Sequence, residues 1–105
     1  MKVATVEQFP RRLLTVVTEA ALERKLTDEL EALGVRGYTI TDARGQGGRG
    51  LRRSDWTQDG NIRIEIVCEP ALAERVAEVL RERYYDQYAM ILFMQDVSVL
   101  RPGKF

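Results

Sequence analysis

The stretch NIRIEIVC, residues 61 to 68, alternates with a period of two. Ile62, Ile64, Ile66 and Cys68 fall on one side, and Arg63, Glu65 and Val67 on the other. That period belongs to a strand with one apolar face, and the rest of the chain must supply a cover for it. Two segments have the right pattern. EAALERKLTDELEALG, residues 19 to 34, repeats Leu22, Leu26, Leu30 and Leu33 at helical spacing. Thr18 stands where a residue caps that helix, and Gly34 where one stops it. PALAERVAEVLRERY, residues 70 to 84, has Pro70 in its first turn and a stripe of Leu72, Val76, Val79 and Leu80.

RLLTVVT (12 to 18), VRGYTITDA (35 to 43) and AMILFMQDVSVL (89 to 100) read as three further strands. Residues 1 to 10 read as an arm ending at Pro10. The order β-α-β-β-α-β is that of a ferredoxin-like α+β domain, a four-stranded antiparallel sheet with two helices on one face. A chain of 105 residues is one such domain, residues 1 to 105, with a small core. The first and last strands are apolar on both faces, so the open sheet face calls for a cover as well, and an oligomer is expected.

Composition removes whole classes of function. Sixteen Lys and Arg balance sixteen Asp and Glu, so any electrostatic role comes from local clustering. No apolar run reaches the roughly 18 residues of a membrane span. MKVATVEQFPRR lacks the apolar segment of a signal peptide, and a cytoplasmic location is expected. There is no histidine and one cysteine, Cys68. Internal disulfides, Cys/His zinc sites and Ser-His-Asp triads are thereby excluded, and no metal is expected. Cys68 itself reads as a small buried apolar residue. Asp28, Glu29 and Glu31 read as a solvated helix face, and Met90 and Met94 as core. Tyr84, Tyr85 and Tyr88 suit either packing at the end of the second helix, which is favoured, or stacking on a base.

One segment does not look like structure. ARGQGGRGLRRSDW, residues 43 to 56, carries Gly45, Gly47, Gly48 and Gly50 with Arg44, Arg49, Arg52 and Arg53. It contains a literal G-x-G-x-x-G, but no helix pattern follows, so a dinucleotide fingerprint fails. No Gly-Lys-Ser/Thr follows either. Glycines let a backbone approach a ligand closely, successive N–H groups form an anion nest, and arginine recognises phosphate or carboxylate with two bonds. An anion-binding loop and a solvated hairpin connection both fit. The sixteen residues from Arg44 to Asp59 have no regular pattern, which is long for a compact domain and favours function.

ALGVRGYTITDARGQGGRG resembles the helix-strand-loop segment of PII signalling proteins, IRIEIVCEP the strand after their T-loop, and DVSVLRPGK their C-terminal segment. The resemblance covers roughly residues 12 to 104. It implies a homotrimer of ferredoxin-like subunits that binds an adenine nucleotide in the clefts between them. It makes residues 44 to 60 a T-loop that changes shape with ligand and docks on a target. It places Gly37 and Thr39 on the strand entering that loop, and Gly45, Gln46 and Gly47 at its base. Glu65 and Val67 fall beside the adenine, and Arg101 and Gly103 in the phosphate-contacting C-terminal segment.

Departures from the family carry information. The T-loop is short and holds Trp56 but no tyrosine. Gly48 and Arg49 stand where the family has a ligand-bonding glutamine. YYDQYAM replaces a Gly-Asp-Gly-Lys loop, with Tyr88 near the lysine's place. Loss of that cation favours ADP or AMP over ATP. These departures resemble the PII-like proteins of inorganic-carbon uptake, which implies bicarbonate held by Gly48, Arg49 and Arg52. The same resemblance implies a transporter or other carbon-uptake component as partner, with recruitment to a membrane through it. Arg53 reads as facing solvent or partner. Two other classes compete with this reading. A phosphate-handling enzyme on this fold needs an arginine-asparagine pair near an N-terminal loop, yet the only asparagine is Asn61. An RNA-binding module needs aromatics on the third strand for stacking, and NIRIEIVC has none, so no nucleic acid is expected.

Overall fold

The apolar face of NIRIEIVC finds its cover in two helices laid across a four-stranded sheet. The structure, a computed structural model, describes residues 5–45 and 60–105. Strand β1 (Phe9–Glu19) leads through a 3-10 turn (Ala20–Leu22) into helix α1 (Glu23–Ala32). Strands β2 (Thr39–Ala43) and β3 (Asn61–Cys68) follow, then helix α2 (Pro70–Tyr84), strand β4 (Met90–Val99) and a final 3-10 turn (Pro102–Lys104). The sheet order is β2-β3-β1-β4, and each neighbouring pair is antiparallel. This is the ferredoxin-like α+β fold expected from the order of patterns.

Register sorts the side chains. Leu14 pairs with Ile66, Val16 with Ile64 and Thr18 with Ile62, and all six are buried under Leu22, Leu26 and Leu30 of the first helical segment and Val76 and Leu80 of α2. Each buried isoleucine contributes about 1.5–3 kcal/mol. By contrast, the exposed pairs Arg12–Glu74 and Arg12–Asp96 are screened by solvent and contribute little. The apolar face therefore decides the fold. On the other face Val17 lies opposite Ile91 and Thr15 opposite Phe93. Ile91 and Phe93 remain 47% and 40% exposed, so the β4 side of that face is apolar and not covered by the described residues, while Thr15 at its centre is buried.

Several boundaries differ from the sequence reading. β1 begins at Phe9, because Phe9 and Pro10 pair with Val99 and Ser98 of β4 alone. Proline is tolerated where only one neighbour must be satisfied. Thr18 does not cap the first helix. It lies within β1, and its Oγ1 donates to the Ala89 carbonyl at 2.9 Å. The apolar stripe of α2 runs through Ala73, Val76, Leu80 and Tyr84, while Leu72 and Val79 are only half-buried. Met94 is 37% exposed rather than core, because β4 is an edge strand and α2 packs over β1 and β3. Glu29 is not fully solvated, since its carboxylate accepts from Tyr84 and Arg83.

β2 starts at Thr39 rather than Val35: Gly34 and Val35 close the helix end, and residues 36 to 38 are irregular until pairing with β3 begins at Thr39 opposite Glu65. Gly34 has φ of 94°. Its N–H donates to Glu31 at 3.1 Å and that of Val35 to Leu30 at 3.0 Å, the two bonds of a Schellman stop. An added Cβ at Gly34 would meet nothing within 4 Å, so only backbone strain opposes a side chain there. Gly34→Ala is expected to lower stability by about 1–2 kcal/mol, read as a lower urea midpoint at unchanged slope.

Candidate functional site

The residues singled out in the sequence divide between the two ends of the sheet. At one end β2 begins, β3 finishes and β4 runs out into the C-terminal turn. There Thr39 lies opposite Glu65 and Leu13 opposite Val67. Gly37, Thr39, Glu65 and Val67 line one cleft of about 470 Å³, within the range of small-ligand sites. Its remaining walls are Leu13, Arg36, Tyr38, Lys104 and Phe105. Leu13 and Val67 give it an apolar floor. Glu65 supplies an acceptor, already shared with Arg63 at 3.3 Å.

The C-terminal turn belongs to the same end. The Gly103 carbonyl accepts from Arg36 Nη1 at 3.0 Å. Arg101 opens the turn, and its carbonyl accepts from the Lys104 N–H. Arg36 thus spends a bond on a neutral carbonyl and keeps its full charge, and Lys104 adds a second cation to the wall. An anionic ligand matches that balance. Gly37 and Gly103 have neither positive φ nor a crowded Cβ position. The chain's own geometry therefore does not demand glycine at either place.

At the opposite end β2 finishes, β3 begins and β4 starts. Gly45, exposed, lies just past β2. The loop before β4 is tied down here: the Ala89 N–H donates to Glu19 Oε2 at 3.3 Å, and the Ala20 N–H donates to the Gly60 carbonyl at 3.0 Å. Tyr88 is half-buried, with its ring 5.8 Å from that of Tyr84. Tyr84 is buried, and its hydroxyl donates to Glu29 Oε2 at 2.9 Å. Packing is therefore the role of Tyr84, and Tyr88 leans on it. Thr39 and Glu65 lie four residues along the sheet from the Ala43–Asn61 pair, roughly 13 Å at ~3.3 Å per residue, and neither Tyr88 nor Gly45 lines their cleft. Tyr88 and Gly45 thus do not meet the other site residues within one chain. Gln46, Gly47, Gly48, Arg49, Arg52, Arg53 and Trp56 lie outside the described residues.

A family model for the nitrogen regulatory protein P-II matches residues 11–104. The chain is a member of the P-II family. A PII-like signalling protein from Thermus thermophilus is 41% identical, with a TM-score of 0.80 over 94% of this chain and 98% of that one. CPII from Thiomonas intermedia, in a structure bound to ADP and bicarbonate, is 27% identical with a TM-score of 0.83, covering 96% of this chain and 99% of that one. A second CPII structure, bound to ADP, AMP and acetate, gives 27% and 0.82 over 95% and 98%. P-II proteins are signalling proteins. Among the described residues of this one, no group of three or more His, Cys, Asp or Glu is placed to hold a metal, and no helix is long and apolar enough to cross a membrane.

Sequence reasoning missed Leu13, Arg36, Tyr38, Lys104 and Phe105 in this P-II chain. Leu13 was accessible through register with Val67. The C-terminal residues reach the cleft through a turn that no periodicity announces. Tyr84 offers a test of the end near Tyr88. Burial, then the bond to Glu29, pushes its phenol up to about 12. The unfolded chain releases that proton near pH 10, whereas the folded chain keeps it. The contribution is whole below pH 10 and is lost between about pH 10 and 12. Thermal unfolding should therefore fall more steeply over that window in the wild type than in Tyr84→Phe.

Proposed function

We propose that this protein is a non-catalytic P-II-type regulator that binds ADP or AMP in preference to ATP. On this reading the site is a cleft between subunits of a homotrimer. The observation that carries it is the division of the candidate residues between opposite ends of one sheet. The end with Gly37, Thr39, Glu65, Val67, Arg101 and Gly103 supplies the base pocket and a phosphate-facing arginine. The end with Gly45 and Tyr88 supplies the loop base, to which the family resemblance assigns Gln46 and Gly47 as well, and in a ring it comes from the neighbour. Contacts that join different patches of identical subunits close into such rings. The uncovered apolar face with Ile91 and Phe93 favours the same assembly.

Bicarbonate is proposed as a second ligand, held by Gly48, Arg49 and Arg52 beside the nucleotide phosphate. CPII, which shares this fold, has a structure bound to ADP and bicarbonate. The loop of residues 44 to 60 then reports the bound state to an inorganic-carbon uptake partner, a transporter among the candidates. Ligand shifts that loop only as far as its affinities for the loop's two states differ. Charge pairing between phosphate, bicarbonate and arginine supplies such a difference.

Calorimetric titration of ADP, AMP and ATP, with and without bicarbonate, tests this directly. ADP and AMP should bind more tightly than ATP, and bicarbonate should tighten ADP by about fivefold or more, roughly the lower end of allosteric coupling. Equal ADP affinity with and without bicarbonate removes the carbon link, and absence of any nucleotide binding removes the reading as a whole. Light scattering should give three times the 12.0 kDa chain mass, and Phe93→Glu, which puts a charge into the open face, should shift the protein toward one chain. A monomeric wild type overturns the assembly.

A further inference from the structure

The C-terminal turn has no buried residue of its own, so packing does not hold it in place. Arg11 does. Its side chain is only 13% exposed, although it lies near the start of β1. Nη2 donates to the Pro102 carbonyl at 3.2 Å, Nε to the main-chain oxygen of Phe105 at 3.2 Å and Nη1 to the Pro10 carbonyl at 2.7 Å. Glu69 stands 3.5 Å from Nη2. A guanidinium this far out of water is costly unless its donors are matched. Arg11 and the turn therefore fix each other. Phe105, at the end of this pinned segment, lines the same cleft as Glu65 and Val67 and remains 37% exposed. Among the described residues the one ring contact is Tyr84 with Tyr88, so the Phe105 ring is not stacked on another described aromatic.

We propose that Phe105 is the aromatic wall for the nucleobase, and that Arg11 is a positioning residue that sets this wall without touching the ligand. The proposal rests on the nucleotide reading above. It explains why a charged side chain is buried at the rim of the cleft. It also gives the base a planar partner opposite the apolar floor of Leu13 and Val67. Stacking is indifferent to phosphate number, so Phe105 acts equally on nucleoside and nucleotide, whereas Lys104 and Arg101 act on phosphate alone.

The test is calorimetry on the full chain with adenosine, ADP and inorganic pyrophosphate as probes. Phe105→Ala should weaken adenosine and ADP alike, by about tenfold, and leave pyrophosphate unchanged, while Phe105→Tyr should bind like the wild type. The residue sits in an exposed turn, so folding is not at stake. Arg11→Gln should cause the same loss for adenosine, and adding Phe105→Ala to it should cost nothing more, a coupling that general destabilisation would not produce. Unchanged adenosine and ADP affinity in Phe105→Ala overturns the inference and leaves the nucleotide reading standing. A parallel loss of pyrophosphate overturns it too. Additive losses overturn the role of Arg11. A wild type that binds no ADP overturns both readings together.

Discussion

β1 is hydrogen-bonded along both edges, to β3 on one side and β4 on the other, and everything placed at the two ends of the sheet depends on that pairing. Its register sends Leu14 and Val16 into the core and turns Leu13 and Val17 to the open face. Its two ends then reach beyond the sheet. Arg11 holds the C-terminal turn. Thr18 and Glu19, at the far end of the strand, hold the Ala89 segment before β4. A slip of one residue would exchange the faces and detach both anchors at once. The core and the candidate site thus rest on one constraint, although they share few side chains.

What was legible in the sequence follows from what has a period. NIRIEIVC gave its strand and its buried face residue for residue, and the leucines of α1 gave a helix. The helix nonetheless begins with a 3-10 turn, because Ala20 ties back to Gly60 before the α-helical ladder starts. The phase of α2 differs from its sequence pattern by a fraction of a turn. Val79 and Leu72 look like the stripe, yet Ala73 and Tyr84 take the buried positions. The family resemblance located Gly37, Thr39, Glu65 and Val67, which do share a cleft. Nothing in the sequence pointed to Arg11 and Phe105, which are 94 residues apart. Bonds from a side chain to a distant carbonyl leave no pattern along a chain.

Charge behaves in the same way. The total is zero, and many charges are spent in surface pairs such as Arg12 with Glu74 and Asp96, each worth little. The cleft differs because Arg36 is bonded to a carbonyl, which directs its guanidinium without neutralising it. Lys104 stands in the same wall, and Glu65 is shared with Arg63. In the proposed site a neutral protein would attract an anion through the choice of acceptor rather than through an excess of basic residues.

The same geometry bears on why such a protein would work as an assembly. On the proposed reading a single chain holds two incomplete sites roughly 13 Å apart along the sheet, the four residues from Glu65 to Asn61 at ~3.3 Å each, and neither contains both a base pocket and a loop base. In the proposed trimer, each ligand would touch the C-terminal turn of one subunit and the loop base of the next. Binding energy would then act on the contact between subunits as well as on the loop. Order in one loop would bear on the next site through β1, since that strand anchors the turn at one end and the segment before β4 at the other. A sheet this short has few ways to relax between its ends, so tension at the Arg11 anchor and at the Ala89 anchor would be felt along the same strand.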